Sequence, residues 1–239
     1  MQSDQYEGYR EWKSWAEKSF GLCSQDQSVY FTDELQRSGI ANVRGMTILE
    51  IGFGNGAFAS WAKTAGADYH GTEIIEQLVT HGANAGFNTH DGRLPLDKLL
   101  GEQSLDLIVS FDVFEHLDAE TLRTALLAAY RALRPSGRLI ARVPSGDSPF
   151  SRAIQHGDAT HCTIIGSSMV NQLAQDAGFE VLEVRQPVFP VLGLGLKVFL
   201  RRTIVTTARK LAFPLITQLF MGGGRPVLTP NLVFVLLKP

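Results

Sequence analysis

Residues 47–59 read Thr-Ile-Leu-Glu-Ile-Gly-Phe-Gly-Asn-Gly-Ala-Phe-Ala, and this stretch decides the fold. A short apolar run ends in a turn that contains Gly52, Gly54 and Gly56, and an amphipathic segment follows. Glycine allows positive φ angles and lets the backbone approach a ligand with no Cβ in between. The start of the next helix supplies N–H groups that have no partner inside the helix. The stretch predicts a buried strand, a ligand-binding turn and a helix; its G-x-G-x-x-A spacing is also compatible with a dinucleotide site.

Strand-like runs and helical patterns alternate along the rest of the chain. The strand-like runs lie at 46–51, 67–72, 86–89, 105–111, 137–143, 179–185 and 232–237. The helical patterns between them lie at 57–65, 75–81, 121–133 and 167–177. Such alternation predicts an α/β fold in which helices cover both faces of a mostly parallel sheet.

The first 44 residues are expected to form an N-terminal helical cap. One helix is predicted over 3–20, where aromatic residues share a face, and a second over 26–38, because Gly39 is a stop signal. The aromatic residues of the first helix are Tyr6, Tyr9, Trp12, Trp15 and Phe20.

The composition indicates one generous folded domain. Of 239 residues, 44% are hydrophobic and 19% are charged, which excludes a disordered chain. Cys23 and Cys162 form no C-x-x-C motif, which argues against a disulfide framework and against a thiolate zinc site. The first residues contain no apolar segment typical of a secretory signal. A cytoplasmic protein is therefore expected.

Charge is distributed unevenly along the chain. All 24 acidic residues lie at or before Glu183, where they outnumber 14 basic ones, and the last 56 residues contain eight basic residues and no acid. This split suggests that the C-terminal part meets an acidic partner or a membrane surface. Nucleic acid is not expected, because the basic residues alternate with aliphatic ones and form no clear stacking platform.

Residues 188–230 form a predicted insertion between the last two strands. Its stretch 194–220 contains no acid, and its uncharged runs are too short to span a bilayer. One side of its helical wheel is apolar, although Lys197 and Arg201 also fall there. The apolar side comprises Leu196, Leu200, Ile204, Ala208, Leu211 and Leu215. An interfacial helix on anionic lipid of the inner membrane face, a lid on the parent domain and an oligomer interface all remain open.

Five ordered motifs within residues 47–140 resemble those of the class I S-adenosylmethionine (SAM) dependent methyltransferases. They are the glycine turn, Glu73 at the end of the second strand, Asp91 after the third, the stretch 105–117, and a Leu-Arg-Pro-Ser-Gly turn in which Ser136 replaces the commoner glycine. The resemblance implies SAM as cofactor and a Rossmann-like, seven-stranded sheet with an antiparallel last strand. The methyltransferase core would then comprise residues 45–187 and 231–239.

The same resemblance implies which residues bind the cofactor. Glu73 is expected to accept hydrogen bonds from both ribose hydroxyls, since a carboxylate offers two oxygens to a vicinal diol. Asp91 is expected to receive the adenine amino group. The other predicted cofactor-binding residues are Glu50, Gly52, Gly54, Asn55, Gly56, Ile74, Gly92, Phe111 and Asp112.

Polar residues after the fifth strand are candidates for catalysis. His156, Asp158, Thr160 and His161 fall within six positions of a loop, at the sheet edge where class I enzymes bind the acceptor. Methyl transfer to a hydroxyl requires a proton acceptor, and a histidine oriented by an aspartate suits that task. We hypothesise that His161 is the general base and Asp158 its support; bracing of the loop is the alternative role. His116 is the third catalytic candidate.

The segment Asp112-Val-Phe-Glu115-His116 resembles the D/E-x-x-E-H pattern of quinone-biosynthetic O-methyltransferases. There, a divalent metal bound by such residues polarises a substrate hydroxyl. A metal is not part of the main interpretation, but methylation of a quinone or lipid precursor with a metal at Asp112, Glu115 and His116 is one alternative.

A P-S-G-D-S-P-F…H-G-D-x-T-H segment, the basic insertion and the closing T-P-N-L-V-F-V strand resemble bacterial methyltransferases of cell-surface polysaccharide biosynthesis. This resemblance implies a sugar hydroxyl of a glycan, or of its lipid-linked precursor, as the methyl acceptor. A catalytically silent SAM-binding partner of a glycosyltransferase is the other alternative.

Overall fold

Seven strands form a single sheet in the order β3-β2-β1-β4-β5-β7-β6 in the computed structural model, which describes residues 8–13, 15, 19–222, 224 and 226–239. β7 pairs antiparallel with both β5 and β6, and the remaining pairs are parallel. The predicted mostly parallel sheet with an antiparallel last strand is therefore confirmed. The strands are β1 (Thr47–Ile51), β2 (Asp68–Glu73), β3 (Asn88–Asp91), β4 (Leu105–Phe111), β5 (Leu133–Pro144), β6 (Glu180–Arg185) and β7 (Asn231–Leu237).

Helices connect the strands and cover the sheet. They are α1 (Tyr9–Trp12), α2 (Gln25–Arg37), α3 (Ala57–Thr64), α4 (Glu76–Asn84), α5 (Leu96–Leu99), α6 (Ala119–Ala132), α7 (Arg152–Gln155), α8 (Ser167–Ala177) and α9 (Leu196–Phe220), with a 3-10 turn at Phe114–His116. A capping box between Ser24 and Gln27 starts α2, and the Asp118 carboxylate starts α6 by accepting the Thr121 N–H.

The prediction of one continuous helix over 3–20 is wrong within the described residues. α1 ends at Trp12, and Trp15 belongs to no helix. Residues 3–7, 14 and 16–18 of that prediction lie outside the described residues.

Apolar side chains on both faces of the sheet form two cores. In β4, Leu107 and Val109 pack with α2 and α3, whereas Ile108 packs with α6 and α8 on the other face. Successive side chains of a strand point to opposite faces, so a strand buried on both faces is a continuous apolar run. This burial explains why β4 is apolar throughout its centre.

The strand order reverses between β1 and β4, which are neighbours although β2 and β3 lie between them in sequence. Ile51 pairs with Ser110, so the glycine turn that follows β1 lies beside the residues that follow β4. In open α/β sheets, ligands bind at the carboxyl ends of the strands at such a reversal. The topology therefore places a ligand site above β1 and β4.

The basic insertion contains a long helix, α9, which includes Pro214 in its interior. The helix is mostly exposed; its one buried side chain is that of Arg202. No described helix is both long and apolar enough to cross a membrane.

Candidate active site

The glycine turn after β1 has no room for side chains at three of its positions, and a Cβ at Gly56, where φ is +71°, would lie 2.9 Å from the Phe20 ring. Gly52 has φ +71°, and a Cβ there would lie 2.5 Å from Cγ2 of Val113. Gly54 has φ +50°, and a Cβ there would lie 3.0 Å from the Trp15 ring. Asn55 fastens the N-terminal segment to this turn, because its side-chain amide donates to the carbonyl of Ser19 at 3.3 Å. Backbone of this kind binds ligands closely, and the N-terminal segment covers it.

Glu73 lies at the end of β2 and holds the glycine turn. Its Oε1 accepts the N–H groups of Ile74 at 2.7 Å and Ile75 at 3.1 Å, and its Oε2 accepts the N–H of Gly54 at 3.1 Å. Burial raises the pKa of Glu73, and these three N–H donors act against the rise. The carboxylate therefore connects the turn after β1 to the start of α4.

Glu50 is buried within β1. The Tyr69 hydroxyl donates a hydrogen bond to its Oε2 at 2.6 Å. Burial raises the pKa of Glu50 to about 8, because removal from water disfavours the charged form. This partner gives Glu50 an internal structural role, and its predicted contact with a cofactor stays a prediction.

Asp91 and Gly92 lie at the end of β3, next to Glu73 at the end of β2. The carboxylate of Asp91 accepts hydrogen bonds from Arg93, mainly through Nε at 2.8 Å, and these bonds lower its pKa. The N–H of Gly92 donates to the carbonyl of Glu73 at 2.8 Å. The structure thus brings together the ends of β2 and β3 that the motifs predicted to be neighbours.

Asp112 follows β4 with φ +60° and forms an ion pair with Arg142 of β5. The guanidinium lies over the ring of Tyr30, 5.1 Å from its centroid, and over that of Phe111 at 5.6 Å. Among the described residues, the group of possible metal ligands comprises Glu115, His116 and His161 and does not include Asp112, which corrects that part of the D-x-x-E-H expectation.

Asp158 lies in the loop after β5 and receives several donors. The hydroxyl of Tyr9 donates to Oδ2 at 3.0 Å, the hydroxyl of Thr160 donates to Oδ1 at 2.5 Å, and Lys13 Nζ lies 3.3 Å away. Burial alone would raise the pKa of Asp158, but these donors hold it well below its usual range. The carboxylate is therefore ionised. Tyr9 and Lys13 of the N-terminal segment help to stabilise its charge.

His116 and His161 pack edge to face with ring centroids 4.6 Å apart. Nδ1 of His161 lies 3.0 Å from the carbonyl of Gln155, which can only accept, so this nitrogen carries the proton. Nδ1 of His116 lies 2.8 Å from the Thr160 hydroxyl, whose own proton is donated to Asp158. In its neutral form, each ring therefore has its lone pair on Nε2. Burial lowers the pKa of His116, which favours its neutral form.

This geometry corrects the expected pairing of His161 with Asp158. Nε2 of His161 lies 3.9 Å from Oδ2 of Asp158, beyond hydrogen-bond distance. The carbonyl of Gln155 orients the ring instead. His156 is exposed at the end of α7 and does not join the pair.

Glu115 is the third member of the cluster that contains His116 and His161. It is 1% exposed, and both of its carboxyl oxygens lack a hydrogen-bond partner among the described residues. Burial raises its pKa to about 8, and the neighbouring charge of Asp112 adds to the rise. Its Oε1 lies 3.8 Å from Nε2 of His161, and one ligand atom each from Glu115, His116 and His161 lie within 4.8 Å of one another.

A cavity of about 290 Å³ opens onto this cluster. Its lining includes Lys13, Glu115, His116, Asp158 and His161. The motifs indicated the last four, but Lys13 and the orienting Gln155 carried no signal, since their partners are distant in sequence or are backbone atoms. Only the folded chain brings Lys13 to the cavity and the carbonyl of Gln155 to His161.

Solved structures of methyltransferases share this fold. A SAM-dependent methyltransferase from Archaeoglobus fulgidus is 18% identical, with a TM-score of 0.64 over 98% of this chain and 99% of that one. A methyltransferase from Haloferax volcanii, solved with the Trm112 methyltransferase activator, is 16% identical, with a TM-score of 0.63 over 99% and 96%. The 1,6-didemethyltoxoflavin-N1-methyltransferase of Burkholderia thailandensis, solved with S-adenosylhomocysteine, is 15% identical, with a TM-score of 0.56 over 99% and 84%. The chain matches no curated protein.

The turn and its surroundings fit SAM. The turn carries no Cβ at Gly52, Gly54 and Gly56, which lets a ligand approach its backbone, and Glu73 beside it retains acceptor capacity on Oε2, which binds a single N–H. A family model described as a methyltransferase domain matches residues 14–184, well over half of the sequence. The chain therefore belongs to the methyltransferase-domain family.

Proposed function

We propose that the enzyme methylates a hydroxyl group on a sugar of a cell-surface glycan or of its lipid-linked precursor. The observation that carries this proposal is the cavity after β5, in which His161 lies beside the ionised carboxylate of Asp158. Such a pair suits removal of a proton from a hydroxyl. The sugar acceptor rests on the resemblance of the loop 144–161 and of the basic insertion to enzymes of polysaccharide biosynthesis.

His161 takes the proton of the acceptor hydroxyl on Nε2. Its Nδ1–H is held by the carbonyl of Gln155, and the charge of Asp158 at 3.9 Å stabilises the imidazolium that forms. His116 forms the adjoining wall and is kept in its tautomer by Thr160 and Asp158. SAM, which the glycine turn and Glu73 would hold, would supply a methyl group on a positively charged sulfur, and S-adenosylhomocysteine would be the leaving group.

The proposal is tested by comparing His161→Asn with His156→Asn, a control in the same loop whose side chain is exposed. Methyl transfer from radiolabelled SAM to glycan and lipid-linked glycan fractions is measured together with S-adenosylhomocysteine binding. We expect His161→Asn to lose about 100-fold or more in turnover with unchanged binding, since general base catalysis contributes about that much. Unchanged turnover in His161→Asn would refute the assignment of His161 as the general base. If no glycan fraction became labelled, the proposal that the acceptor is a glycan would be refuted.

We further propose that α9 contacts the anionic surface of the inner membrane, where lipid-linked glycans are made. The outward side of α9 exposes large aliphatic side chains with cations nearby and no acid. Anionic lipid attracts basic segments of this kind.

A divalent cation is the second candidate for activating the hydroxyl, on a quinone or other lipid precursor. Glu115, with two unpartnered buried oxygens, and the lone pairs of His116 and His161 form a two-histidine, one-carboxylate group. Under this proposal, EDTA abolishes turnover and magnesium or zinc restores it. Full activity in EDTA would exclude this candidate and leave the histidine base.

A further inference from the structure

A second and larger cavity, of about 980 Å³, lies between α2, residues 186–193 and α9. Small-molecule sites have volumes of about 300–1,000 Å³ and mostly apolar walls. Most of this wall is apolar and is formed by Val29, Val188, Phe189, Val191, Leu192 and Phe213. The cavity is thus large enough for a hydrocarbon chain.

Two cations of α9 are available at this cavity. Arg209 lies over the ring of Phe189, 5.2 Å from its centroid, and neither Arg209 nor Lys210 forms an ion pair with any described residue. By contrast, Arg37 and Arg185 at the far wall are paired with Glu183, 2.9 and 2.7 Å away. The charge at the α9 wall is therefore not neutralised within the described chain.

The cavity is held open by contacts between its walls. Arg202 of α9 is buried; it donates to the carbonyl of Pro190 at 2.7 Å and pairs with Asp26 of α2 at 2.7 Å. The N–H of Val188 donates to Glu34 at 2.9 Å, and the Gln25 amide donates to the carbonyl of Gly193 at 2.8 Å. Both walls are thus fixed to α2.

Helix geometry and exposure indicate how the cavity and the outward side of α9 are arranged. Residues of an α-helix advance by about 100° each, which places Arg209 toward the protein, Lys210 on one flank and the exposed Leu200, Ile204 and Leu211 on the opposite side. Leu192, which lines the cavity, is 73% exposed. The wall of the cavity therefore ends in an exposed apolar side chain.

We propose that this cavity binds the phosphate end of a prenyl phosphate lipid, the anchor of a lipid-linked acceptor; this inference rests on the proposed function. Arg209 and Lys210 bind the phosphate, since guanidinium and ammonium groups form charge-assisted hydrogen bonds with phosphate oxygens. The apolar wall covers the first isoprene units, and the rest of the chain leaves past Leu192 into the membrane. The single acid among the described lining residues is Asp33, so the cavity favours an anion.

The experiment measures binding of farnesyl phosphate to the full chain without SAM, by calorimetry below the micelle concentration. We expect farnesyl phosphate to bind. Farnesol, which lacks the phosphate, and inorganic phosphate, which lacks the prenyl chain, should each bind about tenfold more weakly. Arg209→Gln with Lys210→Gln is expected to weaken binding about tenfold or more. The control pair Lys197→Gln with Arg201→Gln removes the same charge from the outward side of α9 and is expected to change nothing.

Equal weakening by the control pair would assign binding to the helix surface and overturn the proposal. Absence of binding, or equal affinity for inorganic phosphate, would also overturn it, and displacement by equimolar short-chain phosphatidylglycerol would reassign the cavity to membrane phospholipid. His161→Asn is expected to keep farnesyl phosphate binding while it loses turnover, so the two proposals fail separately. If the protein methylated a lipid-free glycan but did not bind farnesyl phosphate, the proposed function would be supported and the proposed prenyl phosphate site would be refuted.

Discussion

Glu73 illustrates how a single side chain at the predicted cofactor site also holds the fold together. Its carboxylate accepts three backbone N–H groups, one of them from Gly54 of the turn that follows another strand. A carboxylate with several N–H donors holds two chain segments in register. Any group that binds the glycine turn therefore meets an oxygen whose position is already fixed.

Glu73→Gln is expected to weaken S-adenosylhomocysteine binding about tenfold or more, since hydrogen bonds to a charged group contribute about 1.5–3 kcal/mol. Titration calorimetry measures the effect, and Glu76→Gln, three residues on and exposed, serves as the control. A melting temperature close to that of wild type would show that the turn survives. Equal affinity in both variants would refute the predicted ribose contact.

Glu50 is expected to make the stability of the protein depend on pH. Its pKa rises from 4.5 to about 8 on folding, so the folded state binds a proton that the unfolded state releases between these values. The stabilisation is complete below about pH 4.5 and is lost as the pH rises to about 8. Glu50→Gln should therefore reduce the fall in melting temperature between pH 5 and pH 8, leaving the part due to Glu115. An unchanged fall, as expected for the exposed control Glu120→Gln, would contradict this assignment.

At the scale of elements, α9 is held to the domain by one buried cation rather than by an apolar face. Arg202 lies on the inner side of the helix and connects it to α2 and to Pro190. The large aliphatic side chains lie mostly on the outer side, where an ordinary amphipathic helix would carry polar ones. This inverted arrangement is what favours an external apolar partner.

Arg202→Met is expected to loosen α9, because it leaves the carbonyl of Pro190 without its donor and Asp26 without its partner. Hydrogen exchange across residues 196–220 should become faster by about tenfold or more, in line with about 1–3 kcal/mol for an unsatisfied buried group. Arg201→Met is the matched control, since this neighbouring side chain is exposed. Equal exchange in the two variants would mean that other contacts hold the helix.

At the scale of the whole molecule, charge and apolar exposure coincide on one side. The C-terminal 56 residues carry eight cations and no acid, and α9 in the same segment exposes Leu196 at 72%, Leu211 at 75% and Phe220 at 80%. Contiguous apolar exposure on this scale marks an interaction surface. Together with the cations, it matches an anionic bilayer.

The intact protein is expected to sediment with vesicles containing phosphatidylglycerol and not with phosphatidylcholine alone, and binding should fall as salt rises. Ile204→Ser with Leu211→Ser should weaken binding about tenfold or more, because two aliphatic side chains lose about 1.5–3 kcal/mol each on transfer from lipid. Leu94→Ser, another exposed leucine, serves as the control. If the double variant dimerises less but binds vesicles equally, α9 is an interface between copies.

The sequence by itself determined the strand–turn–helix at 47–64, the seven strands and the position of the long basic helix. These follow from local periodicity and glycine placement, which act over a few residues. The motifs likewise indicated Glu73, Asp91, Asp158 and His161 as candidates, and the structure brings the last two to one cavity.

Tertiary structure alone decided the partners of these residues. Tyr9 donates to Asp158 from 149 positions away, Arg142 binds Asp112, and Gln155 rather than Asp158 orients His161. The same holds for α9, whose sequence predicted an amphipathic helix but not that Arg202 would be buried against Asp26. Contacts of this kind depend on how distant segments pack, and no local pattern along the chain encodes the distance between two side chains that are far apart in sequence.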